Sequence, residues 1–236
     1  MPWNRRRDLI DHSTVGLYHC FSRCVRRSFL LGTELGGLDI SHRQDWVRQR
    51  LEALASIFSV DVCDHTVMDN HLHVILRNRP EVVHGWSNEE VARRWLRLSR
   101  RSARAAAGAG EEAAWPLLRD KKRMAELRRR LSNISWFMLM LNEPLARAAN
   151  AEDDVSGHFS ASDWGAWLKN NEEALLASLY VNLNPVRAGL ALTPEDSRYT
   201  AACDRIEDRQ EEQALRERRA GSEFNLKEQP TRRCSG

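Results

Sequence analysis

The chain has 236 residues, 42% hydrophobic and 29% charged, a balance that excludes global disorder and allows one sizeable core. Lys plus Arg number 36 against 33 Asp plus Glu, a formal net charge of +3, so the total charge does not point to an anionic partner and only its distribution can. No apolar run reaches the roughly 20 residues that span a bilayer, the start MPWNRRRDLIDH lacks the apolar core of a signal peptide, and the five cysteines contain no CxxC pair; a cytoplasmic protein without membrane association, disulfide framework or thiolate zinc site is expected.

GLYHCFSRCV (16–25) alternates as a strand, with Leu17, Phe21 and Val25 on one face and Tyr18, Cys20 and Cys24 on the other. SHRQDWVRQRLEALASIF then predicts a helix. It opens on a Ser41-x-x-Gln44 capping box and repeats Val47, Leu51, Leu54 and Phe58 at helical period. VDVCDHTVM and HLHVILRN predict two strands joined at Asp69-Asn70, residues that tolerate the backbone of a tight hairpin, so His71 begins its second arm.

From Ser87 to about Asn150 the pattern is helical throughout. A Ser87-x-x-Glu90 box precedes an apolar stripe at Val91, Trp95 and Leu98, with a separate basic stripe at Arg93, Arg97, Arg100 and Arg104. After the break AAAGAG, a seam of Met124, Leu127, Leu131, Ile134, Met138 and Leu141 runs to Pro144, which should kink or restart the helix. NNEEALLASLYVNLNPVRAGL starts with Asn170 and Glu173 in capping positions and should stop near Asn184, before Pro185. Residues 1–205 are expected to form one domain with a helical insertion at about 87–150, and 206–236 a charged, flexible tail or frayed helix.

Two stretches carry candidate chemistry. In a strand, His71 and His73 point the same way while Leu72 and Val74 point the other; an HxH pair is a solvated polar face as readily as a site. Tyr180 and Asn184 stand four apart at a helix end and share a side. Two neutral imidazoles and an amide oxygen leave positions open for water and phosphate oxygens on a divalent ion such as Mg²⁺ or Mn²⁺. Such an ion can polarise a phosphodiester while a tyrosine oxygen attacks phosphorus. Taken alone, a tyrosine on an amphipathic helix more often packs in a core. Tyr18 and Tyr199 have no Asn four residues on, and His65, on the arm before the turn, reads as structural. Trp164 and Trp167 either stack on bases or pack, and Arg187 either binds phosphate or neutralises a helix C-terminus.

YHCFSRCV, VMDNHLHVIL and YVNLNPVRAGL, in this order and at these separations, resemble blocks of the REP-associated tyrosine transposases, single-tyrosine members of the HUH endonuclease superfamily. The resemblance spans roughly residues 16–200. It implies an α/β (α+β) ferredoxin-like core, an antiparallel sheet with helices on one face, acting as monomer or homodimer on single-stranded or hairpin DNA. By this match His71, His73 and Asn184 are the ligands of the divalent metal and Tyr180 is the nucleophile, leaving a 5′-phosphotyrosine and a free 3′-hydroxyl. For a polyanionic substrate, Arg93, Arg97, Arg100 and Arg104, with the nearby cluster RDKKRMAELRRR, form either a surface that tracks the DNA backbone or a solvated helix face, and Arg187 is a further candidate phosphate contact. The chain departs from the family at GHFSASDWGAWLKN (157–170), where relatives carry a run of the type GRFWEGRFKSQ; if the missing cations contact phosphate, their loss weakens DNA binding and its salt dependence. Three functions are thus in view: a DNA-nicking and strand-joining transposase, a DNA-binding relic of the same fold, and a metal hydrolase of small phosphoesters.

Overall fold

A computed structural model of the chain describes residues 14–24, 39–98, 115–155 and 160–227. Four strands, β1 (Gly16–Cys24), β2 (Val60–Val67), β3 (His71–Asn78) and β4 (Ser160–Leu168), form one antiparallel sheet in the order β2-β3-β1-β4. Helix α1 (His42–Ala55) connects β1 to β2. Between β3 and β4 run α2 (Pro80–His84), α3 (Asn88–Arg97), α4 (Trp115–Arg119), α5 (Lys121–Leu131) and α6 (Ile134–Glu152); α7 (Asn171–Asn182), α8 (Asn184–Arg187) and α9 (Ala201–Lys227) follow β4. With α1 and α6 as its two helices, the series β-α-β-β-α-β is the ferredoxin-like arrangement.

The pleat sorts the side chains. Tyr18, Cys20, Val60, Val67, Leu72, Val74 and Leu76 turn to one face, where they pack with Val47, Leu51 and Leu54 of α1 and Phe137, Met138 and Leu141 of α6. The opposite face carries His19, Phe21, His71, His73 and Ile75, and α7 is tied to it through Ser178 and Asn182, which bond Asp64 of β2. Helices on one face is therefore true of α1 and α6, while α7 covers the other. Beyond β2 the edge is taken by Thr200, which bridges Thr66, and by the Tyr199 carbonyl, which accepts from the Val67 N–H at 3.0 Å.

Several local expectations need correction. The Ser41 side chain makes no capping bond. Ser41 is itself helical at φ −58°, its N–H donates to Asp39 Oδ1 at 2.9 Å, and Gln44 turns inward to the Val67 carbonyl. The apolar seam is buried as expected, but it is divided at Ser132–Asn133 rather than at Pro144: the Asn133 side chain accepts from Trp136 N at 3.0 Å and starts α6.

Pro144 instead lies inside continuous α6. It has no N–H for the carbonyl four residues earlier, that of Met140, and Arg50 of α1 donates to that oxygen from Nε at 3.0 Å and Nη2 at 2.9 Å. Arg50→Ala is expected to cost about 1–2 kcal/mol in denaturant unfolding, because it strands a partly buried acceptor. In a Pro144→Ala background, where the helix supplies its own donor, the same change should cost measurably less. Equal costs in the two backgrounds would refute this explanation of the tolerated proline.

Candidate active site

The Asp69-Asn70 turn closes with Met68 N donating to the His71 carbonyl at 2.8 Å and brings His71 to the start of β3. His71 and His73, on the same face by alternation, lie 4.9 Å apart by ring centroid at 89°. Phe21 of β1 stands opposite His73 in register, with the rings 5.8 Å apart. Two residues along β1, His19 meets His73 Nδ1 with its Nε2 at 3.0 Å, the rings stacked at 5.1 Å. His71 Nδ1 is engaged by Asn70 Oδ1 at 2.6 Å. Both rings of the HxH pair thus use Nδ1 on a neighbour, which leaves Nε2 of each without a hydrogen-bond partner among the described residues.

Helix α7 brings the phenol to this cluster. Asn170 caps the helix by accepting from Glu173 N at 2.8 Å, and the Glu173 carboxylate accepts from the N–H of Lys169, the residue before the cap, at 2.8 Å. At the other end the Tyr180 ring lies 5.6 Å from His73 and 6.2 Å from His19. Tyr180 is 41% exposed, so a polymer can reach it. Arg187 of α8 sits with its guanidinium carbon 5.1 Å from the centre of that ring.

Asn184 opens α8, and its Nδ2 is buried without a hydrogen-bond partner. Turned about its terminal bond, the same amide presents an oxygen there. Among the described residues no group of three or more His, Cys, Asp or Glu is placed to hold an ion. Two imidazoles and an orphaned amide are donor types that would suit a divalent ion completed by water and phosphate, with the imidazole nitrogens favouring Mn²⁺ over the harder Mg²⁺.

Burial, reinforced by His19, His71 and Arg23, pushes the His73 imidazole down to about 3. Burial also lowers His19, and burial with Arg23 lowers His71. The cluster is therefore neutral at pH 7, the state a ligand needs. A folded value below the unfolded one means that the native state binds fewer protons; the associated stability is complete above about pH 6.5 and is lost as pH falls toward 3. At pH 5 His73 alone accounts for a loss of about 2 kcal/mol. Unfolding of the metal-free protein should accordingly need less denaturant at pH 5 than at pH 7, with the difference reduced in His73→Gln. A pH-independent midpoint would contradict the burial argument.

Of the basic stripe, Arg93 and Arg97 make their contacts elsewhere. Arg93 pairs with Glu90 on its own helix, and Arg97 Nη2 donates to Ser56 Oγ at the end of α1 at 2.9 Å. Arg100 and Arg104 lie outside the described residues. His65 is buried and meets Asp204 of α9 at 3.5 Å, a structural place. Trp164 and Trp167 fall on β4, opposite Phe21 and Tyr18, and Trp167 is 52% exposed. The sequence reading missed His19, which only the β1–β3 register brings beside His73. It also missed Arg23, which stands exposed opposite His71 with no ion pair among the described residues.

No family model and no curated protein matches the chain. A solved structure does share its fold. It is that of the REP-associated tyrosine transposase bound to a REP hairpin, similar with a TM-score of 0.50 at 13% identity over 85% of this chain and 82% of that one. Among the described residues no helix is long and apolar enough to cross a membrane.

Proposed function

We propose that the chain nicks single-stranded or hairpin DNA and joins strands through a covalent 5′-phosphotyrosine on Tyr180, as a cytoplasmic transposase. The observation that carries the reading is the placement of exposed Tyr180 against two neutral imidazoles, 5.6 Å from buried His73 and 6.2 Å from half-buried His19. In the forward step Tyr180 Oη bonds to the phosphorus of the scissile phosphodiester and loses its proton, and the P–O3′ bond breaks to leave a 3′-hydroxyl. Strand joining is the reverse, with a 3′-hydroxyl displacing Tyr180. A divalent cation held by His71, His73 and Asn184 would neutralise charge developing on the phosphate. Arg187, beside the phenol, and Arg23, opposite His71, would bind flanking phosphates.

Residues 1–205 would carry the chemistry, with 87–150 as a supporting insertion and 206–236 as an accessory tail. Because Tyr180 meets the histidines of its own chain, a monomer would be sufficient for cleavage. The cation-poor stretch 157–170 favours a second reading, a DNA-binding protein of this fold without chemistry. One experiment separates these: purified protein, Mn²⁺ and end-labelled hairpin oligonucleotides, resolved on a denaturing gel. A DNA-linked protein band that needs the metal supports the first reading. Binding without that band supports the second, and release of phosphate from small esters without an adduct would point to a hydrolase.

A further inference from the structure

We infer that Asp64 is a positioning residue for the nucleophile, fixing the roll of α7 about its axis and tying that helix to the first turn of α9. This rests on the reading of Tyr180 as the attacking group. The sequence phase of β2 alone would send Asp64 to the core, in step with Val60 and Val62. A bulge between Val62 and Asp64 reverses that phase and sets Asp64 opposite Ile75, on the histidine face. There, 7% exposed, its Oδ2 accepts from Ser178 Oγ at 2.5 Å and its Oδ1 accepts from Asn182 Nδ2 and Arg205 Nη1, each at 2.8 Å.

Ser178 and Asn182 are one turn apart on the same flank of α7, and Tyr180, midway between them, leaves from the opposite flank. A grip on the first flank therefore aims the second. At the outer radius of a helix, about 5–6 Å, a roll of about 10° carries a side-chain tip by about 1 Å, and a misplacement of that size in an attacking group can cost about a hundredfold in rate.

The same net holds α9. Asn182 Oδ1 accepts from Ala202 N at 3.0 Å, Arg205 brings its charge to Asp64, and Asp204 reaches Arg48 at 3.1 Å. The preceding residue pair is seated on β2 by the Thr66–Thr200 bridge, with Tyr199 in the left-handed region at φ 62°, a conformation a bulky side chain keeps only when its surroundings hold it. The start of the charged terminal helix is thus built into the support of the site.

Ser178→Ala and Arg205→Ala each remove one contact while leaving the buried carboxylate its other partners, and Asp64→Ala removes all of them. The two milder variants keep the test decisive if Asp64→Ala does not fold. In the full-length protein, the single-turnover rate of adduct formation at saturating hairpin should fall about ten- to hundredfold, with the DNA dissociation constant unchanged within about twofold. Ser178→Thr, which retains the hydroxyl, should stay near wild type. In free protein, the nuclear Overhauser effect between the Tyr180 and His73 rings should weaken in Ser178→Ala and Arg205→Ala. Folded variants with unchanged rate and unchanged ring contact would overturn the inference. Should wild type form no adduct, the nucleophile reading fails, while the ring contact still decides whether Asp64 aims Tyr180.

Discussion

Tyr180→Phe should abolish covalent attachment of DNA, lowering adduct formation by about 10³-fold or more, about 4 kcal/mol on the barrier. The change removes one oxygen and retains the ring that meets His73, His19 and Arg187. Because Tyr180 is 41% exposed, stability should move by no more than about 0.5 kcal/mol. DNA binding, measured by anisotropy, should stay within about threefold of wild type. The other tyrosines offer no substitute: Tyr18 is 2% exposed in the core, and Tyr199 belongs to the turn that seats α9 on β2. An adduct that survives the substitution would assign the attack to another residue.

His73→Ala should have the next largest effect, a loss of about a hundredfold or more in Mn²⁺ affinity by titration calorimetry, together with loss of cleavage. His73 is the centre of the cluster, touching His71, His19, Phe21 and Tyr180. Its removal takes away one nitrogen donor and leaves His19 Nε2 without its partner at 3.0 Å. His19→Ala should act more weakly, about tenfold on affinity, because it frees the His73 ring to turn without removing a ligand. A His73→Ala protein that binds Mn²⁺ as wild type does would remove the histidine pair from any metal site.

The elements with strong local signals were legible. Alternation in GLYHCFSRCV and HLHVILRN and the Asp69-Asn70 turn predict β1 and the β2–β3 hairpin, and the caps at Ser87 and Asn170 form as their spacing requires. What was not legible depends on partners distant in the chain. Pro144 continues its helix because Arg50, from a different helix, satisfies the carbonyl it strands. Ser41 lost its capping role to Asp39, two residues earlier. The bulge near Cys63 reverses the facing of Asp64, and one added residue in a strand can be seen only against the register of its neighbour. His19 was likewise an ordinary strand histidine until β1 was paired with β3.

The two motifs give each residue pair its local phase but leave open whether Tyr180 reaches the histidines of its own chain; its place against His73 comes from the packing of α7 on the sheet. Burial that keeps the imidazoles neutral, the Asn70 and His19 contacts that occupy both Nδ1 atoms, and the placing of Arg187 over the phenol are all tertiary properties. In the arginine stripe, Arg93 and Arg97 each engage a neighbour, Glu90 and Ser56, and helical spacing alone does not reveal the second contact.

The most direct measurement is peptide mapping by mass spectrometry of protein incubated with Mn²⁺ and a hairpin oligonucleotide, after nuclease trimming of the DNA. A nucleotide mass attached through a 5′-phosphate to the peptide containing Tyr180 is the predicted result. Attachment at any other residue, or cleaved DNA with every peptide unmodified, would contradict it.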